Sequence, residues 1–178
     1  PYPVLLHQAG DLHDDGRTRS VIIEVARLMK ENRVRPRRTI VFALWAGEEQ
    51  GLLGSTHYVN NPLFPLDRTA VNINLDMVGQ GKDTISVGGV YFCQAVWSVL
   101  EKELPGEAME GISTRRGLGG SDCLPFMSKG VPAFHIIGNE THIKGHGPRD
   151  EWDLIMPEML QRAERFVSRF RFAARRPA

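Results

Sequence analysis

Cysteine is scarce. Only Cys93 and Cys123 occur in 178 residues, too few for the disulfide framework of a small secreted scaffold. Two buried free thiols are the expectation, with one bridge as the alternative. Charge of one sign is also missing. The net charge is +1, so no strong field draws nucleic acid or an anionic membrane surface, and neither is expected as a partner. No apolar run approaches the roughly 20 residues of a membrane-spanning helix. Internal repeats and low-complexity segments are absent, and no signal peptide is visible. The chain opens on "PYPVLLHQ", which already reads as a strand, as a processed or trimmed amino terminus would. The basic tail "RFRFAARRPA" reads as a solvated helix end. The apolar and charged fractions, 42% and 24%, are those of a soluble globular protein. The length predicts one domain, residues 1–178, with a real core.

Along the chain, strand and helix patterns alternate. "PVLLH" is a short apolar run. "SVIIEVARLMKEN" has helical spacing, with Ile22, Val25 and Met29 on one side. "TIVFALWAG" is apolar nearly throughout and reads as a strand covered on both faces. "GLLGSTHYVNN" predicts a short helix, "TAVNINLDMVG" and "TISVGG" two strands, and "FCQAVWSVLEKEL" a helix stopped by Pro105 and Gly106. "SDCLPFMSKG" is a short helix, "PAFHIIG" a strand, and "PEMLQRAERFVSRF" a closing amphipathic helix opened by Pro157. The longest irregular stretches are 105–120 and 138–152. Such alternation predicts an α/β fold, a three-layer sandwich around a mostly parallel mixed sheet.

In α/β sheets, ligands bind beyond the carboxyl ends of the strands. Glu48 and Glu49 end the strand "TIVFALWAG", between glycines that permit a turn. Adjacent side chains point in different directions, a useful geometry for a metal ligand beside a general base. Asp14 and Asp15 precede the first helix, Asp76 lies near the end of "NINLDMVG", and His146 follows the last strand. Carboxylates and an imidazole gathered on one edge repel unless cations balance them. Mixed Asp, Glu and His donors suit zinc, with cobalt or manganese as substitutes. Three carboxylates balance a pair of divalent cations better than one, and two metals serve hydrolysis well. Ordinary structural roles suffice for several other residues. Asp15 reads as a helix-start residue, Asp122 as a helix cap, His135 as a satisfied core histidine, and His57 and His142 as surface residues. Arg115 and Arg116 read as solvated loop charges, with reach toward a substrate oxyanion or carboxylate as the alternative.

Five blocks, "DDGRTRSVIIEVAR", "RRTIVFALWAGEEQGLLGS", "VNINLDMVG", "GGSDCLPFMSKGVPAF" and "GHGPRDEWDLI", stand in the order and spacing of the co-catalytic zinc aminopeptidases. The chain resembles that exopeptidase family, metallopeptidase family 28, from about Asp14 to Phe170. Its relatives include glutamate carboxypeptidase-like and transferrin-receptor-like proteins. The resemblance implies a phosphorylase/hydrolase-like zinc exopeptidase fold. It also implies hydrolysis of the amino-terminal bond of peptide substrates by a metal-activated water. On it, Asp14 bridges two zinc ions, Glu48 is the general base and acid, Glu49 and His146 hold one ion, and Asp76 holds the other. Asp150 supports the ligand loop. It implies, too, a secreted or periplasmic location.

The chain departs from the family pattern at its amino end. A His-x-Asp motif about a dozen residues before the bridging aspartate is missing from "LLHQAGDLHDDG". His7, at the end of an apolar run, is the expected replacement as metal ligand, with His13 as the alternative and Asp11 as an orienting group. Arg17, Thr18 and Arg19 stand where the family has small residues. Gly145 stands where tyrosine is frequent. The chain is also short for the family, as a trimmed or minimal version would be. Two other readings stay open: a one-metal relative, glutaminyl-cyclase-like or carboxypeptidase-like, and a non-catalytic binding module with a decayed metal site.

Overall fold

A computed structural model describes residues 4–8, 15–36, 38–104, 106–139 and 152–173. Six strands form one sheet: β1 (Val4–Gln8), β2 (Ile40–Leu44), β3 (Val71–Asp76), β4 (Ile85–Gly88), β5 (Ile112–Thr114) and β6 (Ala133–Gly138), in the order β2-β1-β3-β6-β4-β5. The β1–β2, β1–β3, β3–β6 and β4–β5 pairs are parallel, and only β4–β6 is antiparallel. The mostly parallel mixed sheet is therefore as expected.

Helices cover both faces. On one lie α1 (Asp15–Glu31), α3 (Gln94–Glu103), α4 (Gly106–Met109) and α6 (Pro157–Ala173). On the other lie α2 (Leu53–Asn60) and α5 (Leu124–Ser128). The strands divide their side chains between the faces with period two. Val4, Leu6, Ile73, Leu75, Phe134 and Ile136 join Ile22, Val25 and Met29 of α1 in the larger core. Leu5 faces the opposite way and packs with Val59, Phe126 and Val131.

The smaller core is built on aromatic rings. Trp45, just past β2, stands 5.2 Å from Tyr58 of α2 and 6.2 Å from Phe126 of α5, centroid to centroid. Phe126 is wholly buried, and burying such a ring contributes about 1.5–3 kcal/mol. The trio ties the end of β2 to α2 and α5, and so sets where the turn carrying Glu48 and Glu49 emerges.

Two expectations need correction. β2 is not covered on both faces: it is one of the two edge strands among the described residues, with Phe42 37% and Leu44 48% exposed. A continuous apolar run identifies a sheet strand but not how many neighbours it has. The stretch 105–120 is not irregular throughout, since it contains α4 and β5. The three-residue strand "IST" is too short to show a period.

Candidate active site

The turn after β2 is shaped by backbone geometry. Gly47 and Gly51 have φ of 71° and 103°, a region glycine adopts without steric cost. The Glu48 carbonyl accepts the amides of Gly51 and Leu52 at 3.0 and 2.8 Å. A Cβ on Gly54 would lie 2.9 Å from the Ala46 carbonyl oxygen, so glycine there lets α2 start against the strand it has just left. Glu48 is thereby half-buried while Glu49 is exposed.

Asp76 is the last residue of β3. It shares a face with Asn72 and Asn74, while Ile73 and Leu75 enter the larger core. Met77 follows with φ of 49°, a left-handed conformation unusual outside glycine. The chain thus turns sharply just after the carboxylate. Below Asp76, Asn74 Nδ2 donates to Ser121 Oγ at 2.7 Å. Ser55 Oγ donates to Asp122 Oδ1. Both Asn74 and Asp122 are fully buried. Asp122 is accordingly not a helix cap, as α5 has Cys123 at its N-cap and no side-chain cap bond. It joins α2 to the loop before α5.

His135 lies in β6, whose register pairs Asn74 with His135 and Asp76 with Ile137. It is therefore diagonal to Asp76 on the same face. The ring is buried, and its Nε2 is 3.2 Å from Asp76 Oδ2. Its Nδ1 meets Arg115 Nη2 and the Leu118 carbonyl oxygen. It is a satisfied histidine, as expected, but it also belongs to the site. Burial pulls the Arg115 guanidinium below its ordinary value, against the opposing pull of Cys123 and Asp76.

One cleft at the carboxyl edge of β2 and β3 is lined by Glu48, Glu49, Asp76, Met77, Arg115, Gly119, Gly120, His135 and Ile137. It brings together three residues of the expected site: Glu48, Glu49 and Asp76. His7 lies in β1, paired with Ala43 and Asn74, but its side chain is outside the described portion. Asp14, His146, His13, Asp11 and Asp150 also lie outside the described residues. Sequence reasoning placed Arg115 in solvent. Arg116 is indeed exposed, whereas Arg115 is part-buried in the cleft wall. The signal that could have found it is the glycine-rich "RRGLGG" after it, which permits a loop to close tightly. Ile137 gives the cleft an apolar lining, while its neighbour Ile136 points into the larger core.

Three carboxylates with Arg115 as the one cation among the lining residues form a donor set that suits a hard or borderline divalent ion. Among the described residues alone, no group of three or more His, Cys, Asp or Glu is arranged to hold a metal ion. A full ligand set would draw on residues beyond them.

Comparison with known proteins agrees with this architecture. The chain is similar to aminopeptidase YwaD of Bacillus subtilis strain 168, 32% identical over 166 residues, covering 88% of this chain and 36% of that protein. Its structure is similar to that of BSAP, a zinc aminopeptidase from Bacillus subtilis, with a TM-score of 0.82 and 28% identity over the whole chain and 47% of BSAP. The LapA aminopeptidase of Legionella pneumophila shares the fold, with a TM-score of 0.80 at 21% identity over 97% of this chain and 51% of LapA. The chain thus spans about a third to a half of the length of these relatives. The model of peptidase family M28 matches residues 9–171, and the chain belongs to that family.

Proposed function

We propose that this chain carries the catalytic face of a zinc-dependent aminopeptidase acting on peptide substrates. The observation that supports it best is the meeting of Glu48, Glu49 and Asp76 in one cleft at the carboxyl edge of the sheet. Glu49 and Asp76, with Asp14, His146 and His7, are the residues that would hold two zinc ions. Bound zinc supplies Lewis acidity, which lowers the pKa of water and polarises a carbonyl.

The chain's own residues do the rest. Glu48, half-buried at the cleft wall, takes a proton from the attacking water at a carboxylate oxygen and gives it to the departing amine. Its burial limits competing water. Ile137 gives the cleft an apolar wall. The sharp turn at Met77 and the Asn74–Ser121 bond hold the end of β3 in place.

The test is metal content together with hydrolysis. Purified without chelator, the chain should carry zinc, two ions on this reading. It should release the amino-terminal residue from a panel of amino-acid p-nitroanilides and lose that activity on chelation. A chain that neither binds zinc nor cleaves any member of the panel overturns the proposal.

A further inference from the structure

The proposed chemistry uses three carboxylates of the cleft and leaves Arg115 and His135 without a task. Hydrogen-bond chemistry supplies one. A guanidinium has only N–H donors and no acceptor. Nδ1 of His135 meets one donor, Arg115 Nη2, and one acceptor, the Leu118 carbonyl oxygen; Asp76 Oδ2 at Nε2 decides between them, because a carboxylate only accepts. The neutral ring then carries its proton on Nε2, which faces Asp76 Oδ2 at 3.2 Å, so Nε2 donates to the carboxylate. The opposite tautomer would set an N–H against the guanidinium and a lone pair against the carboxylate. A doubly protonated ring would also oppose N–H to N–H at Arg115. The Leu118 carbonyl, close to Nδ1, is within 3.4 Å of Arg115 Nη2 and is served by it. Every donor in the series therefore points one way, from Arg115 through His135 to Asp76.

The surrounding backbone is shaped around this pair. The Arg115 amide donates to the Val87 carbonyl at 3.0 Å, which aligns the start of the loop with β4. A Cβ on Gly88 would stand 2.3 Å from the Gly117 carbonyl oxygen and 3.1 Å from Arg115 Nε. A Cβ on Gly119, where φ is +72°, would stand 3.0 Å from His135 Nδ1 and 3.2 Å from Arg115 Nη2. Side chains at either position would push the guanidinium off the ring. Arg115 Nε is itself buried with no hydrogen-bond partner among the described residues. Burying an unpaired donor is destabilising, a cost that an apolar residue in the same place would not incur.

We propose that Arg115 and His135 are positioning residues for the metal site: Arg115 holds His135 as the Nε2–H tautomer, and His135 fixes the rotation of the Asp76 carboxylate. This rests on the reading of Asp76 as a zinc ligand. Ligating carboxylates are characteristically held by such outer hydrogen bonds, and losing one lowers metal affinity or activity about 10–100-fold.

Two measurements test it. Two-bond proton–nitrogen spectra of the chain labelled with ¹⁵N-histidine, metal-free and zinc-loaded, report which ring nitrogen bears the proton. His135 is assigned by the signal lost in His135→Gln. Nε2–H is expected in the wild type, and Arg115→Met should shift the ring toward the Nδ1–H form, donating to Leu118. Zinc titration is the second measurement. Arg115→Met and His135→Leu should weaken zinc binding roughly 10–100-fold. His135→Gln keeps an N–H donor near the Nε2 position and should stay much closer to the wild type. Melting curves establish that each variant is folded. Should Arg115→Met not fold, Arg115→Lys, which keeps the charge but not the planar fork, should give an intermediate loss of zinc affinity. A wild-type ring protonated on Nδ1 overturns the proposal. So do Arg115 variants with unchanged tautomer and zinc affinity, or a His135→Gln as damaged as His135→Leu. If the wild type binds no zinc at all, the proposed function fails, and the tautomer spectra still decide the Arg115–His135 pairing.

Discussion

Glu48 and Glu49 are neighbours with different surroundings, half-buried and exposed, and the proposed function gives them different tasks. Glu48→Gln keeps shape and removes the base, so turnover should fall at least about a hundredfold while zinc per chain stays the same. Glu49→Gln should lower zinc content first. Metal analysis beside steady-state rates separates the two, and equal rates in Glu48→Gln would make that residue a bystander. Another residue-scale prediction concerns Cys123. The thiol is wholly buried and not in a disulfide. Burial, the largest cause, raises its pKa from the ordinary 9.0 to about 12. Above pH 9 the unfolded chain loses this proton while the folded chain keeps it. Stability therefore falls as pH rises from about 9 to 12, since the unfolded state binds fewer protons there. Denaturant melts across that window should show a shallower fall in Cys123→Ala than in the wild type. An unchanged slope would place the alkaline sensitivity elsewhere.

At the scale of the element, α1 ends in an unusual way. Val34 N–H donates to the Met29 carbonyl at 2.8 Å, and Arg33 N–H to the Lys30 carbonyl at 3.1 Å. These are the two bonds of a Schellman motif, with Met29 and Val34 in apolar contact with the larger core. The position between them needs a left-handed residue, and Arg33 occupies it with φ of 50°. A side chain there costs about 1–2 kcal/mol. Arg33 is exposed, so its side chain contributes little. Arg33→Gly should stabilise the chain by about 0.5–1 kcal/mol, after the extra freedom of glycine in the unfolded state is discounted. The midpoint of urea unfolding is the readout, and a lowered midpoint would show that the Arg33 side chain contributes more than its exposure implies. In "KENRVRP" arginine thus stands where the motif usually has glycine.

On the scale of the whole molecule, the cleft takes its lining from β3, β6 and the segments after β2 and β5, so its stability and its ligands are linked. An ion bound only by the folded chain raises stability by ~2.7 kcal/mol at a hundredfold excess over its dissociation constant. Adding zinc to metal-free chain should therefore raise the melting temperature, and Asp76→Asn should shrink the rise. A melting temperature insensitive to zinc would separate the carboxylate cluster from metal binding. No helix among the described residues is long and apolar enough to cross a membrane. The exposed Phe42 and Leu44 lie on an edge strand, and β2 has one hydrogen-bonded neighbour among the described residues.

Local pattern was enough for much of this. Helical spacing placed Ile22, Val25 and Met29 on the buried side of α1, and strand–helix alternation pointed to a three-layer α/β fold, because period and polarity are properties of a few adjacent residues. The glycines around Glu48 and Glu49 marked a turn at a strand end for the same reason. Tertiary structure decided the rest. Periodicity says which face of a strand is apolar but not what lies beside it, so β2 as an edge, and β4 and β5 running against the other four strands, follow only from pairing. His135 and Asp76 are 59 positions apart, and only the β3–β6 register sets them on one face. Arg115 reads as a loop charge until glycines at 88, 117 and 119 let its loop close onto His135. Asp122 reads as a cap until Ser55, 67 positions away, becomes its partner. A side chain's role depends on which distant groups the sheet brings within hydrogen-bonding reach, and no local window of sequence contains that distance.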